Sequence, residues 1–574
     1  MPPGGWELPV SKTELRKESG KLITNGNSYV DNQSVNAQVK PPTVSLMKAI
    51  KDEVGNHHGT IEVETDVKRK RHTTDRAYFI GKEMLMTERT YNKDLSVINV
   101  WFRDEVEKED NMPTEVLNTL FSLIDPIYEL HLRILRDVEQ RVTTWENSSA
   151  VQQQHLGCIL LNNMDLILQL YGRYLDEHYS VLENLDRAFR QNSHFEQVYR
   201  DFELQKVCYL PLTSFILKPL QRLLHYETLL EWLIRHYGTQ HADYQDCLSA
   251  KQQLATLLQS VPDLLRSSEN LVQLCELQRE TVGFDALVQS NREFIRQGCL
   301  LKHSRKGYQQ RMFFLFSDIL LYTNRLQYPS LHFKVHGLMP LRGVMVEEAE
   351  YKMGANYCFT IYGGNRALTV AASSQEEKDK WLEDLQTAIQ NVRDGVEDKL
   401  QYLSLKSCSS SDEVIDKCGE MNVDRDKVAP SPQRINTTVQ VCWHRNTSIS
   451  LSDQLRGVEN QLSGFLLRKF KNSNGWQKLW VVFTSFCLFF YKSFQDDSPL
   501  ASLPLLGYTV SPPAESDGIY KDYVFKLQFK NHVYFFRAES KYTFSRWMEV
   551  ISSATQHSAR MRLFSRKDSA FERS

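Results

Sequence analysis

The chain predicts a multidomain α+β architecture: an all-α elongated helical bundle followed by two small β-barrels or sandwiches, each capped by a C-terminal helix. Three observations carry this. From Arg76 to about Glu280 apolar residues recur at helical spacing. Near Phe294 the pattern switches to short apolar runs divided by turns. The strand-rich unit then occurs a second time. A chain of 574 residues exceeds what one hydrophobic core serves, which leaves room for these units.

Composition narrows the class further. Hydrophobic residues make up 41% and charged residues 24%, as in ordinary globular proteins. The 69 basic residues stand against 71 acidic ones, a net charge of −2, which argues against a nucleic-acid partner. No apolar run approaches the roughly 18 residues of a membrane span. The start Met1-Pro2-Pro3-Gly4-Gly5 lacks the basic and apolar segments of a secretory signal. The ten cysteines form no CxxC pair, and Cys158, Cys208, Cys358 and Cys487 sit in apolar runs. They read as buried thiols of a cytoplasmic protein rather than as disulfides or zinc ligands.

Residues 1–75 are polar and read as a disordered leader, with Lys68-Arg69-Lys70-Arg71-His72 as a solvated basic run before the first helix. Residues 76–280 form the bundle, broken at Asn111-Met112-Pro113 and Asn147-Ser148-Ser149. The first helix carries the stripe Ala77, Ile80, Met84, Tyr91, Leu95 and Ile98, and Glu88 lies on it. A carboxylate on an apolar face needs a partner, either a buried cation of the same domain or a second protein. Farther on, Pro219 ends one helix and opens the next, which runs towards His236, with Gln221, His225 and Thr228 sharing a face.

The first barrel spans 292–392 and closes with a helix opened by Ser374 and Glu377 as a capping box and carrying Trp381. A linker at 396–460 containing Ser, Asp and Pro reads as disordered. The second barrel spans 462–556, and 557–574 is a basic tail. Gln310-Arg311-Met312-Phe313-Phe314-Leu315-Phe316 is echoed by Gln477-Lys478-Leu479-Trp480-Val481-Val482-Phe483 at an offset of 167, and Trp381 by Trp547 at 166. Each helix Trp is placed to cover the open end of its barrel.

Two segments, Thr87-Glu88-Arg89-Thr90-Tyr91-x-x-Asp94-Leu95 and Leu217-Lys218-Pro219-Leu220-Gln221-Arg222-x-x-x-Tyr226, resemble the first and third conserved regions of the Dbl-homology exchange domain. With two barrels behind them, the chain resembles the FERM, RhoGEF and pleckstrin-domain family. The disordered leader stands where that family has its FERM domain. The resemblance implies a guanine-nucleotide exchange factor for a Rho-family small GTPase of the Rac, Cdc42 or Rho type, without covalent chemistry, metal or cofactor. Glu88 would meet switch I, so that Glu88→Ala would spare the fold. Gln221, Leu224 and His225 would face switch II, with Lys218 and Arg222 supporting the helix bend. His225 departs from the usual Lys or Arg, and the family's late-helix Asn falls at Pro262 or Asp263. Those departures favour the alternative of a membrane-associated scaffold that does not exchange.

For the barrels the resemblance implies anionic-lipid contact at the loop joining the first two strands. The first offers Lys302, Arg305, Lys306 and Arg311; the second offers Lys469, Lys471 and Lys478. Phe313 and Trp480 stand where the lipid-binding pattern ends in Arg, so the contact expected is weak, peripheral and at the plasma membrane. The four-residue spacing of His332 and His336 reads as ordinary strand histidines. The short junction near Phe294 would hold the first barrel close to the exchange surface, and the long linker would let the second fold back over it, with Ser407, Ser409, Ser410 and Ser411 as phosphorylation sites that alter the docking; the alternative is a linker that is only a passive tether.

Overall fold

The structure is a computed structural model that describes residues 76–147, 155–326, 331–364, 366–398, 437–470 and 475–555. The leader, the tail, the linker serines and Lys471 lie outside them.

The bundle opens with α1 (Arg76–Ser96), which continues through a π-helical turn at Val97–Phe102. Every residue of the expected stripe is buried, from Ala77 to Ile98. Asn111 in a left-handed conformation (φ 59°) makes the break before α2 (Thr114–Asn147). There follow α3 (Gly157–Asn162), α4 (Met164–Gln191) and α5 (Ser193–Leu204). Asn192 caps α5 by accepting from the backbone N–H groups of His194 and Phe195. Pro219 acts as expected: α6 (Leu212–Ile216) stops and α7 (Lys218–His236) starts with proline in its first turn. Then come α8 (Tyr244–Leu258) and α9 (Val261–Glu280).

After α9 a two-residue strand β1 (Thr281–Val282) pairs with β5 (Phe333–Pro340) of the first barrel, so helix and barrel join without a free spacer. That barrel also holds β2 (Phe294–Ser304), β3 (Gly307–Phe316), β4 (Ile319–Arg325), β6 (Met345–Lys352), β7 (Ala355–Gly363) and β8 (Arg366–Ala371). It closes with α10 (Gln375–Asp398), whose Trp381 is fully buried in the barrel core. Ser374 accepts from the Glu377 backbone N–H at 3.2 Å, one half of the expected capping box, while the Glu377 carboxylate accepts from Lys380 and Ser448.

The linker expectation needs correcting. Residues 437–460 form α11 (Thr438–Arg445), β9 (Ser448–Ser450) and α12 (Leu451–Glu459). Thr437 caps α11, and Ser450 with Asp453 makes a full capping box for α12. β9 pairs with β2, Gly298 facing Ser448. A Cβ on Gly298 would fall 2.3 Å from that of Ser448, so glycine permits the approach. Ser448 donates to Glu377 at 2.7 Å and accepts from Arg296 at 2.8 Å. These elements are too short for periodicity to reveal, and their capping residues share the composition of a loop.

The second barrel is β10 (Leu462–Phe470), β11 (Gln477–Thr484), β12 (Cys487–Tyr491), β13 (Ala501–Pro504), β14 (Thr509–Ser511), β15 (Val524–Phe529) and β16 (His532–Arg537). It is closed by α13 (Lys541–Thr555) with Trp547 buried. The repeat is real but its strand register shifts. Phe313 and Tyr322 pair across β3 and β4 as Val481 and Phe490 do across β11 and β12, an offset of 168. The odd offset of 167 would put inward residues outward.

Both faces of β3 and β11 are buried, which explains their unbroken apolar runs. Phe313 and Leu315 enter the first barrel's core, while Met312, Phe314 and Phe316 pack with the end of α9 and the linker. Leu479, Val481 and Phe483 enter the second barrel's core, while Trp480 and Val482 join the core of the helical bundle. Described cysteines are all unbridged, buried except for half-buried Cys158. Among the described residues no helix is long and apolar enough to cross a membrane.

Candidate functional site

The face shared by α1 and α7 gathers most of the residues singled out from sequence. Glu88 is 0% exposed and answers its own electrostatic demand within the bundle. Arg222 donates to one carboxylate oxygen, as does Tyr226 at 2.7 Å, while His131 Nδ1 meets the other at 2.6 Å. Burial alone would push the Glu88 carboxyl up, but Arg222, then His131 and Tyr226, overcome it and hold it at about 2. Arg222 also donates to Thr87 Oγ1 at 2.9 Å and lies 4.4 Å over the Tyr226 ring. The internal cation is therefore the partner that the structure gives Glu88.

Lys218 begins α7 and lies 3.3 Å from Asp94, and its Nζ donates to Thr484 of β11 at 2.9 Å. Gln221, 8% exposed, accepts from Gln461 just before β10. Leu224 is half-buried against the bundle, and His225 Nε2 is 3.9 Å from Glu83. Burial, with Arg222 beside it, shifts His225 downward against the pull of Glu83. Asp263 is exposed in the first turn of α9, and among the described residues no hydrogen bond or ion pair joins it to this cluster. The acid that instead senses Lys218 from α9 is Glu269. Burial raises its carboxyl to about 7 against the pull of that lysine.

The second barrel lies along this same face. Thr90 donates to Ser463 at 2.7 Å, Lys82 pairs with Glu539 at 2.8 Å, and Phe79 stacks on Tyr542 at 5.6 Å. Arg89 covers the Phe494 ring at 3.9 Å and Lys93 the Tyr491 ring at 4.3 Å. Arg546 of α13 donates to Glu83 and sits 4.4 Å over Trp232. Sequence reasoning passed over Glu83, Trp232 and Arg546. The available signal was the unbroken Leu479–Phe483 run, whose outward Trp480 and Val482 require a cover.

Strand geometry puts the basic loop residues at the first hairpin of each barrel. Arg305 and Lys306 form the exposed turn of the β2–β3 hairpin. Lys302 lies 5.4 Å from the Tyr322 ring, and Arg311 donates to the Gln309 side chain at 2.6 Å. In the second barrel Lys469 is half-buried and Lys478 is exposed, its Nζ 4.6 Å over Phe465. Phe313 and Trp480 are buried, so neither place offers a lipid-facing side chain. His155, Asp243 and Asp246 lie close enough to suggest a metal, but Asp243 is spent on a helix start. It accepts from the backbone N–H groups of Leu156 and Gly157 at 2.8 Å and of Cys158 at 3.2 Å.

Comparison with known proteins places these units. Residues 80–262 match the RhoGEF domain, and residues 294–390 and 460–556 each match the PH domain. Human FERM, ARHGEF and pleckstrin domain-containing protein 2 is 52% identical over 86% of this chain and 48% of its own length. The chicken FERM, ARHGEF and pleckstrin domain-containing protein 1 is 46% identical over 97% of this chain and 54% of its own. The chain thus spans about half the length of the curated relatives it matches. The crystal structure of the DH domain of FARP2 is 47% identical, covering 36% of this chain and 98% of its own, at a TM-score of 0.35. The chain therefore carries a RhoGEF domain followed by two PH domains, and over that half of their length it is similar to the FERM, ARHGEF and pleckstrin domain-containing proteins.

Proposed function

We propose that the chain is a guanine-nucleotide exchange factor for a Rho-family small GTPase, held in a closed form by its second PH domain. The observation that carries this is the juxtaposition on one RhoGEF-domain face of Lys218, Gln221, Leu224 and His225 with the Glu88–Arg222 pair. That face is covered by β10, β11 and α13. The mechanism is linkage. A surface that binds the switches best when nucleotide and Mg²⁺ have left lowers nucleotide affinity, and nucleotide lowers affinity for that surface by the same factor. A barrel seated on the surface competes with the GTPase and slows exchange. The PH loops add weak attraction to anionic lipids, which would bring the protein to the plasma membrane as a peripheral protein.

The test is nucleotide release from Rac, Cdc42 and Rho by the full chain and by Thr484→Arg. This variant sets a second cation against Lys218 from the barrel side and leaves the RhoGEF domain untouched. Faster release from at least one GTPase is expected. The second reading, a scaffold that does not exchange, is favoured by His225 and by the internal occupation of Glu88. It gains if the opened variant binds none of the three and releases nucleotide from none.

A further inference from the structure

The bundle holds two buried carboxylates on α1, and they differ in where their cations come from. Glu88 is neutralised from within by Arg222. Glu83 is 6% exposed, and the one full cation on it among the described residues comes from the second barrel. Arg546 donates from Nε at 3.1 Å and from Nη2 at 2.9 Å, and Tyr542 adds its hydroxyl at 3.4 Å. Among the described residues the bundle itself supplies only His225, at 3.9 Å and shifted towards its neutral form by burial. Trp232 of α7 completes the recess, its ring facing the guanidinium at 4.4 Å.

We propose that Glu83 and Trp232 form a receptor for a basic side chain on the GTPase, and that Arg546 fills it as a stand-in. This rests on the exchange reading above. Once the barrel leaves, Glu83 loses its cation beside an aromatic face, and a partly buried unpaired carboxylate is costly. A ligand that restores the balance must bring a cation, and a planar guanidinium suits both the carboxylate and the Trp face better than an ammonium does. The location ties the recess to the GTPase. Glu83 stands one turn before Thr87, which accepts from Arg222, and it borders His225, four residues from Gln221. A protein docking on that surface meets Glu83. The partner favoured is a Rho-type GTPase presenting Arg, or less well Lys, at this edge of its switch region. An acidic residue there would be rejected.

The experiment uses the full chain and separates a receptor from a simple latch. Arg546→Glu opposes Glu83 and expels the barrel while leaving the recess intact. Affinity for nucleotide-free Rac, Cdc42 and Rho is measured for wild type, Arg546→Glu, the double variant Glu83→Gln with Arg546→Glu, and Trp232→Leu with Arg546→Glu. Arg546→Glu should bind one GTPase more tightly than wild type; the Glu83 double variant should lose at least tenfold of that affinity, as for one partner of a buried charge pair, and the Trp232 double variant a smaller factor of about threefold to tenfold, as for a cation–π contact. Circular dichroism melts of the four proteins identify any variant whose loss comes from unfolding, and the Trp232 variant then stands in for the Glu83 one. Equal binding by Arg546→Glu and both double variants would show a latch and overturn the receptor alone. Binding by none of the chains to any GTPase would overturn the exchange reading and the receptor together.

Discussion

Glu88 is asked to do opposite things by its two readings, and its neighbours decide between them. A partner-facing carboxylate can be lost without harm to the fold. One with Arg222, His131 and Tyr226 on it cannot, because its removal strands a buried guanidinium. Glu88→Ala is therefore expected to cost about 3–5 kcal/mol, the range for breaking a buried pair on one side, and thermal unfolding measures it. This reverses the expectation of an intact fold. An unchanged melting temperature with lost GTPase binding would return Glu88 to the partner-facing role. Spacing put Glu88 on the apolar stripe, and the second segment contained Arg222. Nothing local in the chain links residues 134 apart, so the pairing itself was not legible.

At the scale of elements, α9 shows the same contrast between burial and charge. Its residues Glu269, Glu276 and Glu280 line a cavity of about 110 Å³, with α7, α11, α12 and the β11–β12 turn around it. Burial raises Glu269 to about 7, opposed by Lys218. Burial, aided by Glu276, raises Glu280 to about 8, opposed by Thr437, Arg325 and Gln440. Both values lie above that of an ordinary carboxyl, so the docked form holds protons that a free carboxyl would release. The stabilisation is complete below the ordinary value near 4.5 and is lost as pH rises through 7 and 8. Nucleotide release should thus accelerate as pH rises from about 5 to 8, and Glu269→Gln should flatten the part of the profile below 7; a flat wild-type profile would separate this stripe from docking. The hairpin turns make a different claim. Arg305, Lys306 and Lys478 are the exposed cations, each worth only about 1 kcal/mol near an anionic surface, and half-buried Lys469 adds less. Liposome sedimentation should weaken steadily with salt; tight binding to one phosphoinositide at high salt would refute the weak-contact reading. Long periodic elements such as α1 and the barrel strands were legible. The short α11, β9 and α12 were not, and the unbroken runs of β3 and β11 mark them as strands without naming what covers their second face.

For the whole molecule, the order of domains followed from sequence, whereas their embrace did not, because contacts between units leave no periodic trace. The sequence expectation held the first barrel close by its short junction and folded the second back over the same surface; the contacts described on the α1–α7 face come from the second barrel and the segment leading into it. Nucleotide release measured with residues 76–290, 76–395 and 76–556 is accordingly expected to be fast, fast and slow, one step rather than two. A stepwise fall would assign the first barrel a share. The pairing of β9 with β2 across Gly298 adds a kinetic consequence. Ser450 is fixed to the first barrel, and Leu462 begins the second only twelve residues later, a leash of about 40 Å at full stretch. A barrel so tethered stays near its seat at an effective concentration on the order of millimolar. Dilution cannot open the protein, a momentary detachment is followed by rapid reseating, and any activator must keep hold of the barrel for as long as the signal lasts.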